Sequence, residues 1–283
     1  MNNSKNKLGL KITSPYILWS GLFIVIPLFL IVFFAFTKME GGEYIFNLDN
    51  FKELMNPLYI KVFWRSIRLA LISTILCLII GYPTAYIISR TKASRQGTLL
   101  MLAIIPMWMN FLLRTYAWSA ILGREGILNT ILTTIGLQPV NILYTDLAVM
   151  LGMVYNFLPF MILPIYTVLS KMDHDLINAA KDLGANGIQV FYKIIFPLSM
   201  PGVASGITMV FMPAVSTFVI SKLLGGGQFM LIGNLIEQQF MSVGDWHFGS
   251  AISLFMMLVI LITMAIMNKF SDESDKEGGG LLL

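Results

Sequence analysis

Polar and aromatic side chains interrupt the third long apolar run of the sequence, residues 98–121. Arg114 is the only charged residue well inside an apolar run, and an unpaired arginine in hydrocarbon costs several kcal/mol. Residues two to four positions apart cover a broad face of this run: Trp108, Asn110, Arg114 and Trp118. We therefore predict that Arg114 is structural, and that it pairs with an acid such as Asp146 or with carbonyls freed by a helix kink.

The aromatic residues of this run have two interpretations. Tryptophan and tyrosine are enriched at membrane–water interfaces, which accounts for Tyr116 and Trp118 without any special function. Trp108 lies about ten residues into the run, where an interfacial position explains it less well. Lining of a transport pathway and simple packing remain equally open for Trp108.

Residues 222–248 form a second unusual region. Three consecutive glycines, 225–227, predict a hinge or a loop with positive φ. Residues 230–241 predict a short helix with one apolar face and one amide-rich face. The candidates for docking an external partner or admitting a cation are Asn234, Glu237, Asp245 and Trp246. A plain solvated loop is the alternative.

A polar segment, residues 171–197, separates the fourth and fifth apolar runs. Asp173 is suited to cap a helix with Leu176, Ile177, Ala180 and Leu183 on one face. Gly184 ends that helix, because glycine adopts the left-handed conformation at almost no cost. A second short helix follows, and Pro197 begins the next apolar run. Two short helices with small alanines at the bend form a knob that a groove on a partner could hold.

The amino-acid composition indicates that this chain is a membrane protein. Of the 283 residues, 57% are hydrophobic and only 12% are charged, and a helical crossing needs about 20 apolar residues. Six runs meet this requirement: about 16–37, 63–89, 98–121, 147–170, 198–221 and 249–268. We therefore predict an all-α protein with six transmembrane helices and no separate soluble domain.

The distribution of Lys and Arg predicts the orientation. With both termini in the cytoplasm, eleven of these residues fall on the cytoplasmic side and seven on the other, as the positive-inside rule favours. The predicted regions are a cytoplasmic N-terminus (1–15), a first helix with an external loop (16–62), a five-helix core (63–268) with a cytoplasmic loop (171–197), and a cytoplasmic tail (269–283).

The polar segment carries a resemblance to a known family. Its spacing resembles the coupling loop of bacterial ABC importer permeases, which reads Glu-Ala-Ala, three residues, Gly, nine residues, Ile-x-Leu-Pro. Phe196 replaces the leucine of that pattern, and Asn178 replaces the glutamate, which puts a charge-dependent role in doubt. The resemblance assigns contact with an ATPase to Asn178, Ala179, Ala180, Gly184, Ile194 and Pro197.

Further motifs from about residue 50 to 268 resemble the permeases of spermidine/putrescine importers. They are Tyr82-Pro83, Pro106-x-Trp108-x-Asn110, Gly126-x-Leu128-Asn129, Leu158-Pro159-Phe160, Ile232-Gly233-Asn234 and Asp245-Trp246-x-Phe248-Gly249. The resemblance implies the type I ABC importer permease fold in a bacterial cell membrane, with transport by alternating access. A flexible polycation suits aromatic faces that offer cation–π contacts. The pathway candidates are Trp108, Asn110, Tyr116, Trp118 and Phe218.

The resemblance also implies partners. They are an ATPase dimer, which would hold ATP and Mg²⁺, a second related permease and an external polyamine-binding protein, with membrane lipid around the helices. Other small solutes remain alternatives, because relatives that import them share the scaffold. The net charge of +4 reflects topology and gives no reason to expect nucleic acid.

Other function classes find little support in the sequence. No phosphate-binding loop of the Gly-x-x-x-x-Gly-Lys-Ser/Thr type is present, and no nucleophile lies in a recognisable catalytic motif. His174 and His247 fall on opposite sides of the membrane in the predicted topology, so we expect no metal site and no cofactor in this chain. A membrane-embedded enzyme and a passive channel subunit remain minor alternatives.

Overall fold

The computed structural model describes residues 13–279, with side chains for 13–266 apart from that of His174. The described residues form two compact units. The first comprises residues 13–60 and 235–259, and the second comprises residues 61–234 and 260–279. The predicted N-terminal segment, 1–15, lies outside the described residues except for its last three positions. The tail, 269–283, lies outside them from residue 280.

Helices account for most of the described chain. In order they are α1 (Thr13–Ala35), α2 (Asp49–Leu54), α3 (Pro57–Arg90), α4 (Ala93–Trp108), α5 (Phe111–Leu122), α6 (Ile127–Thr134), α7 (Asp146–Ser170), α8 (His174–Asp182), α9 (Gly187–Ser216), α10 (Val219–Leu224), α11 (Ile232–Gln238) and α12 (Trp246–Gly279). π-helical turns occur within α1 at Gly21–Val25, within α9 at Phe191–Ile195, and after α11 at Gln239–Val243.

Five of these helices are long and apolar enough to cross a membrane: α1, α3, α7, α9 and the Trp246–Ile266 part of α12. A sixth crossing is obtained if α4 and the segment Phe111–Thr134 are counted as one span, and these two parts meet at an angle of 89°. The predicted helical class is confirmed. The expectation of one continuous helix over 98–121 is wrong.

The break in the third run follows from local chemistry. Pro106 lies two residues before the end of α4, and Met109 and Asn110 are both extended, with ψ of 148° and 129°. The Asn110 Oδ1 accepts hydrogen bonds from the backbone N–H groups of Leu112 at 2.9 Å and Leu113 at 3.3 Å. Asparagine is a preferred N-cap, so the chain ends one helix and begins another.

The core of the second unit is the contact between α7 and α9. Small residues allow their backbones to approach closely. A Cβ atom on Gly202 would lie 2.9 Å from the carbonyl oxygen of Pro164, and one on Gly206 would lie 2.7 Å from Met161 Sδ. Close approach through small residues is typical of helix pairs in membranes. α3 joins this core through a hydrogen bond of 2.9 Å between the Tyr82 and Ser199 hydroxyls.

The fifth apolar run also differs from its expected bounds of 198–221. α9 begins earlier, at Gly187, and ends earlier, at Ser216, because Thr217 is extended with ψ of 132°. Phe218 therefore lies in the break between α9 and α10, outside any long helix. The carbonyl of Phe218 accepts a hydrogen bond of 2.9 Å from the Asn234 side chain, which holds the break in place.

The first unit contains a small exception to the helical class. β1 (Thr37–Glu40) and β2 (Glu43–Phe46) form an antiparallel hairpin that pairs Thr37 with Phe46 and Glu40 with Glu43. Its two turn residues, Gly41 and Gly42, have φ of 62° and 91°. Positive φ at both central positions matches the tight hairpin turns, for which Gly-Gly is a recognised signal. The prediction of an all-α chain missed this hairpin.

Candidate functional site

The polar segment between α7 and α9 begins as predicted. The Asp173 side chain caps α8 by accepting a hydrogen bond of 2.9 Å from the N–H of Asp175. Gly184 follows the helix with φ of 85°. The N–H groups of Gly184 and Ala185 donate to the carbonyls of Lys181 and Ala180, at 2.9 and 3.0 Å. This pair of bonds is the Schellman motif, so the predicted helix stop is confirmed in its conformation.

The second helix of this segment has a cap that the sequence analysis missed. The Asn186 side chain accepts from the N–H of Gln189, and the Gln189 side chain accepts from the N–H of Asn186, both at 2.9 Å. This reciprocal arrangement is a capping box. The signal was present in the sequence as Asn followed three residues later by Gln. It fixes Gly187 as the first residue of α9.

The second helix is not the separate short helix that was expected. α9 runs continuously from Gly187 into the fifth span. Within its π-helical turn the N–H of Phe196 bonds to the carbonyl of Phe191, five residues earlier. Pro197 lacks an N–H group, and the widened turn just before it allows the helix to continue. Ile194 and Pro197 therefore belong to the spanning helix rather than to a detachable knob.

The polar segment presents apolar side chains to its surroundings. Ile177, Val190 and Ile195 are buried, whereas Leu183 is 89% exposed and Ile188 is 71% exposed. Leu183 lies at the helix end beside Gly184, where its side chain is open to the surroundings. Asn178, Ala179 and Pro197 are exposed, and Ala180 and Ile194 are half-buried. Exposed small and apolar residues on a capped helical knob form a surface suited to a protein groove.

Four of the five pathway candidates lie at or beside the break between α4 and α5. Trp108 is 81% exposed at the end of α4, and Tyr116 is exposed on α5. Trp118 is half-buried and packs edge-on against Tyr155, with ring centroids 5.3 Å apart. The amide oxygen of Asn110 is committed to capping α5. Of these four residues, Trp108 and Tyr116 have aromatic faces open for contact with a solute.

Arg114 lies on α5, is only 7% exposed, and does not pair with Asp146. Among the described residues, its buried Nε and Nη1 atoms have no hydrogen-bond partner. Its guanidinium carbon lies 6.0 Å from the centroid of the Phe111 ring. The expectation that Asp146 would pair with Arg114 is wrong, because that carboxylate is already occupied by two other arginines.

Asp146 binds Arg65 and Arg68 on α3. Its Oδ1 accepts from Arg65 Nη2 at 2.6 Å and from Arg65 Nε at 3.2 Å, and its Oδ2 accepts from Arg68 Nη2 at 3.0 Å. Asp146 is the first residue of α7, where a negative charge is favoured by the helix dipole. The ion pairs therefore link the beginning of α7 to α3.

Asn234 is a structural residue. It is 9% exposed, its Nδ2 donates to the Phe218 carbonyl at 2.9 Å, and its Oδ1 accepts from the Ser221 hydroxyl and the Leu231 N–H. The prediction that Asn234 contacts an external partner is contradicted by this burial. Its side chain instead joins α11 to the break after α9.

Asp245 and Trp246 line a surface depression of about 640 Å³ within the first unit. The Asp245 Oδ1 caps α12 by accepting from the N–H groups of His247 at 3.1 Å and Phe248 at 2.9 Å. Trp246 is exposed and packs edge-on against Phe240 at 5.4 Å. Glu237 is half-buried. Phe34, Tyr44 and His247 complete the depression, and the sequence analysis did not associate them with it.

Asn129 is a buried residue whose importance the sequence analysis did not explain. Its Nδ2 donates to the carbonyls of Gly123, Arg124 and Val140, and its Oδ1 accepts from the Val140 N–H at 2.8 Å. It thereby joins the loops on both sides of α6. The Gly126-x-Leu128-Asn129 motif therefore maintains a loop conformation and carries no reactive group. Among the described side chains, no three His, Cys, Asp or Glu residues cluster as a metal site would require.

Comparisons with known proteins match this architecture. Residues 78–274 match the family model described as "Binding-protein-dependent transport system inner membrane component". The chain is 42% identical to the spermidine/putrescine transport system permease protein PotB of Haemophilus influenzae, over 83% of this chain and 84% of that one. It is 39% identical to PotB of Salmonella typhimurium over 88% of both chains. An inner membrane ABC transporter permease of Escherichia coli, YdcU, is 29% identical over 88% of this chain and 89% of its own length.

Solved structures match the fold at lower sequence identity. A chain from a bacterial ABC transporter involved in the import of the acidic polysaccharide alginate superposes with a TM-score of 0.82 at 17% identity, covering 96% of this chain and 97% of that one. A chain of the MetNI methionine ABC transporter superposes with a TM-score of 0.58 at 14% identity, covering 78% of this chain and 98% of its own. The predicted ABC importer permease fold is confirmed.

Proposed function

Because this chain belongs to the family of binding-protein-dependent transport system inner membrane components, we propose that it imports polyamines as the permease subunit of an ATP-driven transporter. It is a multi-pass protein of the inner membrane and a transport subunit rather than an enzyme. The proposed substrates are spermidine, putrescine or both.

One observation carries the polyamine assignment. The relatives that share 38–42% identity with nearly the whole chain are named as spermidine/putrescine permeases. The solved structures that share the fold have much lower identity and come from transporters of alginate or methionine. A shared fold therefore does not set the substrate. The alternative is that a permease of this fold imports another small solute, and no described residue specifically favours such a substrate.

The aromatic residues of α4 and α5 are chemically suited to contact a polyamine. Trp108 and Tyr116 expose aromatic rings on either side of the break, and an aromatic face attracts an ammonium group with about 0.5–2 kcal/mol. Arg114 would repel a polycation, but its side chain is buried, whereas the Trp108 and Tyr116 rings are exposed. We infer that the solute passes the rings and does not contact Arg114. Phe218, in the break after α9, is a further aromatic candidate.

The polar segment between α7 and α9 is the proposed contact with the ATPase. Its exposed residues, small near Ala180 and apolar at Leu183 and Ile188, suit a groove on a soluble subunit. ATP and Mg²⁺ would bind to that subunit. The other proposed partners are a second permease, which completes the pathway, and an external binding protein, which delivers the solute. The external docking candidates that remain are Glu237, Asp245 and Trp246.

Transport by the reconstituted complex tests the proposal most directly. The complex would be placed in proteoliposomes with ATP, and uptake of labelled spermidine and putrescine would be compared with uptake of labelled amino acids and sugars. We expect ATP-dependent uptake that is saturable for polyamines alone. Uptake of another solute class without polyamine uptake would remove the substrate assignment and leave the permease assignment intact.

The proposed orientation has both termini in the cytoplasm, and cysteine labelling tests it. Leu183 is 89% exposed on the polar segment, and Gln228 is exposed in the glycine-rich loop. After Cys77→Ala removes the native thiol, we expect Leu183→Cys to react with an impermeant reagent only in inverted vesicles. Gln228→Cys should react only in intact cells. The reverse pattern would contradict the positive-inside argument.

A further inference from the structure

Three cations and a tryptophan share one face of α3, and they belong neither to the pathway candidates nor to the polar segment between α7 and α9. Lys61, Trp64, Arg65 and Arg68 have the spacing i, i+3, i+4 and i+7, which places them together on a helix. They line a surface pocket of about 430 Å³ within the second unit. This cationic face, residues 61–68 of α3, has no role in the proposed transport steps.

The charge of this face is only partly balanced. The Asp146 carboxylate is shared between Arg65 and Arg68, and Lys61 forms no ion pair with any described residue. Three cations facing one carboxylate leave an excess of two positive charges. Arg65 also lies 3.7 Å from the centroid of the Phe229 ring, so it is fixed on two sides. Lys61 is exposed and the Arg68 side chain is 63% exposed, which leaves donors open to a ligand.

The position of this face along α3 indicates its depth in the membrane. The helix has 34 residues, about 51 Å at 1.5 Å per residue, whereas the hydrocarbon core is about 30 Å thick. Residues 69–88 contain no charged side chain and are sufficient to cross that core. Arg68 therefore borders the hydrocarbon, and Lys61 lies about two turns farther out. Trp64, which is 64% exposed, falls in the interfacial layer that tryptophan prefers.

We propose that the cationic face of α3 binds the phosphate of an anionic phospholipid, with phosphatidylglycerol as the representative headgroup. Lys61 and Arg68 donate to the phosphate oxygens, and Arg65, held by Asp146, adds positive potential. Trp64 contacts the glycerol and upper acyl region of the same lipid. An acidic surface of a protein partner is the less favoured occupant, because the face adjoins the hydrocarbon boundary and includes a largely exposed tryptophan.

Native mass spectrometry of the delipidated full-length chain tests this proposal. Phosphatidylglycerol would be compared with phosphatidylethanolamine of the same acyl chains and with soluble glycerophosphoglycerol. The test variant is Lys61→Gln with Arg68→Gln, and the matched control is Arg124→Gln with Lys171→Gln, two exposed cations elsewhere. We expect phosphatidylglycerol affinity to fall about 30-fold in the test variant, since each basic residue near an anionic lipid surface contributes about 1 kcal/mol. The control should retain its affinity.

Several outcomes would overturn the proposal. They are equal affinity for the two lipids, unchanged phosphatidylglycerol binding in the test variant, or equally tight binding of the soluble headgroup. In the same measurement on the chain co-purified with its partner subunits, loss of a subunit from the test variant with unchanged lipid binding would assign the face to a protein partner instead. If the test variant does not fold, phosphatidylglycerol binding to the unmodified chain would be measured at increasing salt concentrations. Phosphatidylglycerol binding should weaken as salt rises, and salt-independent binding would contradict the proposal.

Discussion

The α7–α9 pair and the α4–α5 pair are both apolar in sequence but differ in how they pack. α7 and α9 are continuous helices in close contact through Gly202 and Gly206. α4 and α5 are two short helices that meet at 89°, and Trp108 beside their junction is 81% exposed. Both pairs contain prolines, so proline content does not separate them.

The difference in packing suggests that the two helix pairs respond differently to movement during transport. The polar segment, which is the proposed ATPase contact, joins α7 to α9, so a force applied there would act on two closely packed helices. Trp108 and Tyr116 lie on either side of a break at Met109 and Asn110, where the helix is not continuous. We infer that α7 and α9 transmit movement and that the α4–α5 junction adapts to the solute. Each prediction below alters one side of this comparison.

The largest effect is expected from filling the space between α7 and α9. In Gly202→Leu the new Cβ would lie 2.9 Å from the Pro164 carbonyl oxygen and 3.1 Å from the Ile165 Cα, both backbone atoms. Overpacking of this kind costs about 1–3 kcal/mol or more, and we expect folded protein to be largely lost in fluorescence-detected size exclusion. Gly97→Ala on α4, where no atom lies within 4 Å of the added Cβ, is the control and should express normally. A well-folded Gly202→Leu protein would contradict the rigid-pair interpretation.

The next effect concerns coupling. Ala180→Arg places a long charged side chain on the proposed docking surface, and we expect at least about tenfold less polyamine uptake, equivalent to about 1.4 kcal/mol. Co-purification of the ATPase should fall in parallel while the permease remains folded. Gln138→Arg, in an exposed loop, is the control. Normal co-purification with the Ala180 variant would remove this segment from the interface.

The third prediction concerns the contribution of the buried Arg114 side chain to the stability of the chain. The Nε and Nη1 atoms are buried without partners. We therefore expect Arg114→Met to increase the free energy of unfolding by about 1 kcal/mol or more, which would be measured as a higher thermal midpoint of the purified chain. Arg124→Met, at an exposed arginine, should change little. A clear fall in the midpoint would show that the guanidinium is satisfied in the folded chain, and the α4–α5 pair would then be held by Arg114.

The smallest effect is expected from Trp108→Ala. Loss of one exposed aromatic face should weaken polyamine uptake about 2- to 30-fold, corresponding to 0.5–2 kcal/mol, with assembly and basal ATPase activity unchanged. Met109→Ala, at a neighbouring exposed residue in the same break, is the control. Wild-type uptake by the Trp108 variant would show that the exposed ring faces lipid or a partner, and that the pathway lies elsewhere.

The sequence was most informative where the determinants are local. The cap at Asp173 and the stop at Gly184 depend on residues within one turn, and both were predicted. The break after Trp108 is equally local, and Pro106 with Asn110 contained the signal, but the apolar composition of the run suggested one helix. The capping box at Asn186 is also local, since Gln189 lies three residues later, but it was not predicted.

Residue roles that depend on partners distant in sequence were predicted poorly. Asp146 was named as one candidate partner of Arg114, yet Arg65 and Arg68 bind it from 81 and 78 residues away. Asn234 was assigned to an external surface, yet it is buried against Phe218 and Ser221. In both cases a polar residue was assigned a role from its place along the chain, whereas its hydrogen-bond partners lie on other elements.

The sequence by itself determined the class, the number of apolar runs, the cap and stop of the first helix in the polar segment, and the family, because composition, helical periodicity and motif spacing are properties of the linear chain. The tertiary structure alone decided which carboxylate neutralises which arginine, which aromatic rings are exposed, and which helix pair is closely packed. Those properties depend on distances between residues far apart in sequence, and pairing and burial energies act over only a few ångströms.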